Sequence, residues 1–368
     1  MIRLTRPFLG DSSNLVAKVI EEGFLVQGRY VEDFESKISN YVGRRFGIAV
    51  NSGTSAIQCA VQALGLKQED EVIVPDFTFP ATANAVITAG ATPILVDIDI
   101  RTFNISPQAV EDAVNSRTKA VIPVDLFGLP ADLEQISEIC RRKGLFMIED
   151  SACALGAKLG KKKCGSFGEI SVLSFHPRKI LTTGEGGMVL TDSEEHCDFV
   201  RSLRNHGIRS HEQREFVMPG YNMRMNEIQA CMGIVQFEHI DFLIAERKRI
   251  ADLYNHLLSD IEELRVPQVP EGYFHTYQSY VVLLSDSIDR DVLIELMRER
   301  GIETTFGTYA IHCQPYYRNR FGFRPGQLNS SYRAWKQSLS LPIYTSMKEE
   351  EVIEVVESLK RCIVLSRR

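Results

Sequence analysis

Short apolar runs alternate along this chain with longer segments in which apolar residues recur every three or four positions. Runs of four or five residues rich in Val, Ile and Leu are typical of buried strands, and the longer pattern is typical of amphipathic helices. The predicted order is strand 47–50, helix 54–64, strand 71–74, helix 79–89, strand 93–96, helix 107–115, strand 120–124, helix 131–143 and strand 145–148. This alternation predicts β-α-β crossovers and an α/β fold built on a mostly parallel sheet.

The remaining segments predict an N-terminal pair of helices and a smaller C-terminal α/β domain. The predicted elements are helices 13–22 and 31–41, a long helical stretch that ends near Leu258, strand 277–284, helix 289–300 and helix 347–361. We therefore expect a large domain over residues 1–245 and a small domain over residues 246–368.

The stretch from Ser174 to Gly187 joins two short apolar runs and is predicted to be a loop between buried strands. Lys179 lies on this loop, two residues after Pro177, whose ring fixes the backbone. A partly desolvated lysine on a rigid loop is suited to forming a Schiff base with an aldehyde. These residues alone are equally compatible with a surface lysine on a glycine-rich turn.

Ligands of parallel sheets bind beyond the carboxyl ends of the strands, so the loops that follow strands are where chemistry is expected. The first such loop, Asn51-Ser-Gly-Thr-Ser55, combines a glycine, hydroxyl groups and the N–H groups of a helix N-terminus, which suit a phosphate. Ser and Thr also cap many helices that bind nothing. The second loop, Pro75-Asp-Phe-Thr-Phe79, offers rings that could stack on a flat ligand or belong to the core.

The third loop begins with two acidic residues, Glu149 and Asp150. Adjacent buried acids are costly unless one has a cationic partner, and a protonated pyridine nitrogen is such a partner. Acids placed at a helix N-terminus are the commoner alternative. The order of phosphate loop, aromatic residue, strand-end Asp and loop Lys is more specific than any single motif. An Asp that keeps a ring nitrogen protonated and a Lys that forms an imine are the protein groups that pyridoxal phosphate chemistry needs.

Composition argues against several other classes of function. The 368 residues carry a net charge of −6, and no basic patch is evident for DNA or RNA. The eight cysteines form no C-x-x-C pair and H-E-x-x-H is absent, so no metal site is predicted. The first residues lack the apolar segment of a signal peptide, and no membrane-spanning apolar run occurs. We expect a cytoplasmic protein that spans no membrane.

Further motifs are spread over nearly the whole chain. They include Gly23-Phe-Leu-Val-Gln-Gly28, Ser52-Gly-Thr54, Thr78-Phe-Pro-Ala-Thr82, Pro93-Ile-Leu-Val-Asp97, Val124-Asp-Leu-Phe-Gly128, Glu149-Asp150, Ser174-Phe-His-Pro, Thr183-Gly-Glu-Gly-Gly187, Gly220-Tyr-Asn-Met-Arg224 and Leu339-Ser-Leu-Pro342. Together they resemble the motifs of the DegT/DnrJ/EryC1/StrS family of sugar aminotransferases. The resemblance implies the aspartate-aminotransferase-like fold, fold type I of the pyridoxal-phosphate-dependent transferases.

The resemblance also implies roles for the matching positions. Lys179 would form the Schiff base with pyridoxal 5′-phosphate and shuttle a proton, and Asp150 would hold the pyridinium nitrogen. Phe79 would stack on the ring. Contacts with the phosphate and its surroundings are expected from Gly53, Thr54, Ser55 and Ser174.

Two further positions are assigned from the resemblance. Asn222 would reach the phosphate bound by the neighbouring subunit, which implies a homodimer with shared active sites. Cys153 lies three residues after Asp150, where the family usually has Gln or His against the other face of the cofactor. The chain therefore departs from the family pattern at a cofactor-binding position.

The activity implied is transfer of an amino group from glutamate to a nucleotide-linked keto sugar, in amino-sugar biosynthesis. Relatives that act as pyridoxamine-dependent sugar dehydratases carry His at the Schiff-base position, whereas this chain has Lys179. A non-catalytic regulatory homologue is the third alternative, and such a protein would not need the pair of Lys179 and Asp150.

Overall fold

The computed structural model describes residues 1–209 and 215–368. In chain order, its strands are β1 Phe46–Val50, β2 Glu71–Pro75, β3 Phe77–Thr78, β4 Thr92–Val96, β5 Thr118–Val121, β6 Phe146–Asp150, β7 Lys158–Leu159, β8 Lys162–Lys163, β9 Ile170–Ser174, β10 Gly187–Thr191, β11 Leu264–Arg265, β12 Tyr273–Phe274, β13 Tyr280–Leu284, β14 Tyr309–Ala310 and β15 Ser338–Leu341. Its helices are α1 Ser12–Glu22, α2 Arg29–Val42, α3 Gly53–Ala63, α4 Ala81–Thr88, α5 Pro107–Ala113, α6 Leu133–Lys143, α7 Glu194–Leu203, α8 Glu227–Phe237, α9 Ile240–Leu258, α10 Arg290–Glu299, α11 Pro315–Phe321, α12 Asn329–Gln337 and α13 Glu349–Leu365.

The central sheet has seven strands in the order β1-β10-β9-β6-β5-β2-β4. The five strands β9, β6, β5, β2 and β4 are each parallel to their neighbours in this order, whereas β10 is antiparallel to both β9 and β1. The prediction of a mostly parallel sheet is confirmed. Because β9 and β10 are antiparallel, a loop joins them without a crossover helix, and that loop carries Lys179.

The strands divide their side chains between two cores, because successive residues of a strand point to opposite faces of the sheet. On β6, Ile148 packs in a core that includes residues of α3 and α4, and Met147 packs in a core that includes residues of α6. The last two residues of β6 continue this alternation. Asp150 is therefore on the α4 face of the sheet and Glu149 on the opposite face.

The C-terminal region builds a separate core around the three-stranded sheet β11-β13-β15, which packs against α9, α10 and α13. Helix α9 contributes to this core through Ala251 and Tyr254. Its Leu243 and Ile244 pack instead in a core of the N-terminal region that includes residues of α2. The boundary expected at residue 245 falls within this continuous helix.

The helical stretch expected to end near Leu258 is in fact two helices, α8 and α9, with an angle of 63° between them. No Gly or Pro lies between Phe237 and Ile240, so the local sequence carries no signal for the break. Among the described residues, no single helix is both long and apolar enough to cross a membrane. The bent pair α8 and α9 reaches that length and composition only when the two helices are counted together.

Candidate active site

Asp150 ends β6 at the carboxyl edge of the parallel strands, and its side chain is 3% exposed. Thr82 of α4 donates a hydrogen bond from Oγ1 to Oδ2 of Asp150 at 2.8 Å, and the Ala152 N–H donates to Oδ1 at 3.2 Å. Burial raises the pKa of Asp150, while the Thr82 hydrogen bond and the charge of Lys179 oppose the rise. A cation placed against this carboxylate would stabilise its ionised form.

The loop that carries Lys179 is fixed by side chains from distant parts of the chain. Gln236 of α8 is fully buried; its amide nitrogen donates to the Thr182 carbonyl at 2.6 Å and its amide oxygen accepts from the Thr182 N–H at 3.0 Å. Gln278 donates to the Arg178 carbonyl at 2.8 Å. These bonds hold the backbone on both sides of Lys179, so its half-buried amine has a defined position.

Lys179 lies beside the loop that follows Asp150. Its Nζ donates a hydrogen bond to the Sγ of Cys153 at 2.9 Å, and both side chains are half-buried. The structure therefore places three of the expected residues, Asp150, Cys153 and Lys179, in one neighbourhood.

The expected phosphate loop forms the N-terminus of α3. Ser52 caps the helix by accepting from the Ser55 N–H at 3.1 Å, and the Ser55 hydroxyl donates to Asn51 at 2.7 Å. These two bonds commit Ser55 to the cap, while Thr54 is exposed in the first turn of the helix. The N–H groups of a first helical turn favour an anion.

Gly53 brings this helix end close to the last residue of β9. A Cβ atom at position 53 would lie 2.7 Å from the Cβ of Ser174 and 2.9 Å from its hydroxyl. Only glycine permits this approach, which gathers the N-terminus of α3 and the Ser174 hydroxyl around one small space. These N–H and hydroxyl donors suit a phosphate, and the buried carboxylate of Asp150 suits a cationic ring, so the chemistry of the donor set matches a cofactor that carries both groups.

Phe79 follows β3 and is 62% exposed. Strand β3 pairs with β14, which lies far along the chain, with Thr78 opposite Tyr309. The ring centroids of Phe79 and Tyr309 are 6.4 Å apart. The structure thus adds Tyr309 to the residues near the site, although no local pattern connected the two segments.

Asn222 is on an exposed segment beside the end of β1. Its backbone pairs with Asn205, and its side-chain oxygen accepts from Nε of Arg224 at 3.1 Å. The same segment is anchored to the phosphate loop, since the Asn51 N–H donates to the Met223 carbonyl at 2.9 Å. Asn222 is therefore presented on the surface close to its own phosphate loop.

The family profile described as the DegT/DnrJ/EryC1/StrS aminotransferase family matches residues 10–360. This chain belongs to that family. It is a sugar aminotransferase that uses pyridoxal 5′-phosphate, and the expected family and fold type I are confirmed.

Three curated relatives illustrate the likeness in sequence. GDP-perosamine synthase of Escherichia coli O157:H7 is 35% identical over 333 residues, covering 90% of each chain. A pleiotropic regulatory protein of Geobacillus stearothermophilus is 38% identical over 346 residues, covering 93% of this chain and 91% of the relative. The UDP-N-acetyl-3-dehydro-alpha-D-glucosamine 3-aminotransferase of Acidithiobacillus ferrooxidans is 34% identical over 351 residues, covering 95% of this chain and 92% of the relative.

Two solved structures show the likeness in fold. Helicobacter pylori PseC, an aminotransferase involved in the biosynthesis of pseudoaminic acid, superposes with a TM-score of 0.94 at 27% identity over 99% of each chain. The PLP form of Spr1654 from Streptococcus pneumoniae gives a TM-score of 0.92 at 25% identity, covering 98% of this chain and 99% of that one.

Proposed function

We propose that this enzyme transfers an amino group from glutamate to a nucleotide-linked keto sugar, with Lys179 and Asp150 as its catalytic residues. The observation that carries the proposal is that the amine of the fixed β9–β10 loop contacts Cys153, which lies three residues after the buried carboxylate at the end of β6. Burial raises the pKa of Asp150, and the Thr82 hydrogen bond and the charge of Lys179 both lower it, which supports placing the two groups in one site.

Pyridoxal phosphate, when bound, supplies a carbonyl group to which amines attach and a ring that accepts electron density. Asp150 would keep a proton on the ring nitrogen, because a positive charge near its buried carboxylate would stabilise the ionised form of that carboxylate. Lys179 would be the residue to which the cofactor attaches, and its Nζ would accept and return the proton that moves during transfer. Thr82 is a positioning residue, since its hydroxyl orients the Asp150 carboxylate.

The other expected residues would hold the cofactor. The N-terminus of α3 with Gly53, Thr54 and the adjacent Ser55 cap supports the phosphate, together with the Ser174 hydroxyl. The exposed ring of Phe79 would cover one face of the cofactor ring, and Cys153, next to Lys179, would lie against the other face.

The proposed sugar substrate is supported by the relatives. One relative is named as acting on a UDP-linked dehydro sugar, and another is named as a GDP-linked amino-sugar synthase. Glutamate is the proposed amino donor because the family resemblance implies it. The eight cysteines, all within the described residues, are free thiols, which supports the proposal that the enzyme works in the reducing cytoplasm.

The proposed assembly is a homodimer in which Asn222 serves the partner's phosphate site. Large apolar side chains are exposed on the segments that flank Asn222, including Phe216 at 72% and Phe24 at 61%. Val26 pairs with Asn226, so the loop after α1 lies alongside the segment that contains Asn222. An exposed apolar surface of this kind beside a ligand site is typical of a subunit interface.

The activity is tested by supplying glutamate with a GDP- or UDP-linked keto sugar and following 2-oxoglutarate together with the mass of the sugar product. Equal amounts of 2-oxoglutarate and amino sugar support the proposal. A deoxygenated sugar without nitrogen would instead indicate a dehydratase, and absence of turnover across a panel of such sugars would favour the regulatory alternative.

The site assignment is tested by reducing the holoenzyme with borohydride and mapping the pyridoxyl-labelled peptide. We expect the label on Lys179, and a label on any other lysine contradicts the assignment.

The shared site is tested by mixing a Lys179→Ala chain with an Asn222→Ala chain. One intact site per mixed dimer should restore about a quarter of wild-type activity in an equal mixture of freely exchanging subunits. If Asn222→Ala alone is severely impaired and the mixture recovers nothing, the two residues do not form a site across the interface.

A further inference from the structure

Cys153 differs from the other seven cysteines of this chain. It is half-buried at the active site, whereas the others are buried, the most exposed of them being Cys313 at 8%. Burial raises the pKa of all seven thiols, to about 12 for Cys59, Cys140 and Cys231. Peroxides react with the thiolate and need access to the sulfur. The seven buried thiols are therefore protected from oxidation both by their raised pKa values and by their lack of access to solvent.

A second nucleophile is held against the sulfur of this half-buried cysteine. Nζ of Lys179 lies 2.9 Å from Sγ of Cys153, and the backbone of the lysine loop is fixed by Gln236 and Gln278. An oxidised sulfur at position 153 would therefore be formed next to an amine. The amine can react only while Lys179 is not attached to the cofactor, so this inference rests on the proposed function.

We propose that Cys153 and Lys179 form a redox switch in which a peroxide leads to a covalent sulfur–nitrogen bond between them. Hydrogen peroxide oxidises the Cys153 thiol to a sulfenic acid and is itself reduced to water. The lone pair of the Lys179 amine then attacks the sulfur. The S–N bond forms, the S–O bond breaks, and the hydroxyl group leaves as a second water with a proton from the amine.

The bond inactivates the enzyme because it removes the amine that the proposed mechanism needs. Reduction by thiols reverses it. A thiolate attacks Sγ of Cys153, the S–N bond breaks and Lys179 regains its proton, leaving a mixed disulfide that a second thiol resolves. Oxidation of Cys153 thus blocks Lys179, a residue that the proposed turnover requires.

The test uses the holoenzyme loaded either with pyridoxamine phosphate, which leaves Lys179 free, or with pyridoxal phosphate, which occupies it. After treatment with hydrogen peroxide, intact mass and peptide mapping should show a species about 2 Da lighter, with a Cys153–Lys179 cross-link, mainly in the pyridoxamine phosphate form. Added thiol should restore the original mass. Cys153→Ser should give no cross-link, and the matched control Cys313→Ser should give the wild-type amount.

Three results would overturn the inference. They are oxidation of Cys153 that stops at acids of sulfur without a cross-link, preferential oxidation of another cysteine, and a cross-link that survives in Cys153→Ser. The borohydride experiment separates this inference from the proposed function. A pyridoxyl label on Lys179 without a peroxide-dependent cross-link defeats only the switch, whereas a label on another lysine defeats the proposed site.

Discussion

Glu149 and Asp150 are adjacent in sequence and both deeply buried, yet the sheet gives them different surroundings. Asp150 is on the α4 face, where it meets Thr82 and the charge of Lys179. Glu149 is on the other face, where its two oxygens accept from the N–H groups of Gly165 at 2.7 Å and Phe167 at 2.8 Å. One acid is placed beside a cation in the site, and the other is enclosed by backbone.

The enclosed acid has a second carboxyl group beside it. Burial raises the pKa of Glu149 well above its usual value, and the charge of Asp125 raises it further. Burial also raises the pKa of Asp125 to about 6, against the hydrogen bonds it accepts from Ala131 and Ser151. The comparison teaches that burial alone does not identify a catalytic acid; the decisive feature is a cation that can approach it.

The largest expected effect comes from removing the cation. Lys179→Ala should lower turnover by at least about 1,000-fold, because it removes the proposed proton-transfer group. Steady-state turnover measures this, with circular dichroism to verify folding. Lys163 is a matched control, since it is also half-buried and donates to the Tyr41 carbonyl at 2.7 Å. Lys163→Ala should change turnover less than about threefold, and equal losses in the two variants would contradict a special role for Lys179.

The next prediction compares the two acids directly. Asp150→Asn should lower turnover about 100- to 1,000-fold with little loss of stability, because a neutral amide cannot favour a proton on the ring nitrogen. Glu149→Gln should lower the free energy of unfolding by about 1–3 kcal/mol, because its amide nitrogen faces a backbone N–H. Turnover of the folded Glu149→Gln enzyme should fall less than about tenfold. Measurements of turnover and of denaturant unfolding test this difference between the two acids. The prediction is wrong if Glu149→Gln loses mainly turnover and Asp150→Asn loses mainly stability.

A smaller effect is expected at Thr82. Thr82→Val keeps the shape of the side chain but removes the hydrogen bond to Asp150, which should raise the pKa of that carboxyl group. Turnover should fall about tenfold, and the acidic limb of the pH profile should move to higher pH. Thr88→Val in the same helix is the control, because the Thr88 hydroxyl donates its hydrogen bond to the Ala85 carbonyl rather than to Asp150. An unchanged acidic limb in Thr82→Val would remove Thr82 from its positioning role.

The smallest predicted effect is on the pH dependence of stability. The pKa of Asp125 is raised from 3.8 to about 6 by burial, so the folded state binds a proton more tightly than the unfolded state does. This contribution to stability is complete below about pH 4 and is lost as the pH rises through 6. The free energy of unfolding of wild type should therefore fall between pH 4.5 and 7 because of Asp125. In Asp125→Asn this fall should be smaller by on the order of 1 kcal/mol. Denaturant unfolding of both proteins at the two pH values tests this. An equal change in the free energy of unfolding in wild type and Asp125→Asn would contradict the prediction.

Local sequence was sufficient to predict the strands and loops that carry Asp150 and Lys179. The alternation of apolar runs and helical segments predicted the mostly parallel sheet, and the position of Lys179 on a loop between β9 and β10 followed from the runs on either side. Asp150 at the end of β6 followed in the same way. These features depend on residues within a few positions of one another, where periodicity and turn residues carry the information.

Only the tertiary structure showed which distant residues fix the positions of Lys179 and Phe79. Gln236 and Gln278 fix the lysine loop from 57 and 99 positions beyond Lys179, and Tyr309 meets Phe79 through the pairing of β3 with β14. No local pattern encodes such contacts, because packing of distant segments creates them. Chain order determined which residues could do the chemistry. The opposite faces of β6 and these long-range hydrogen bonds decided which acid feels the charge of Lys179, since that depends on three-dimensional surroundings.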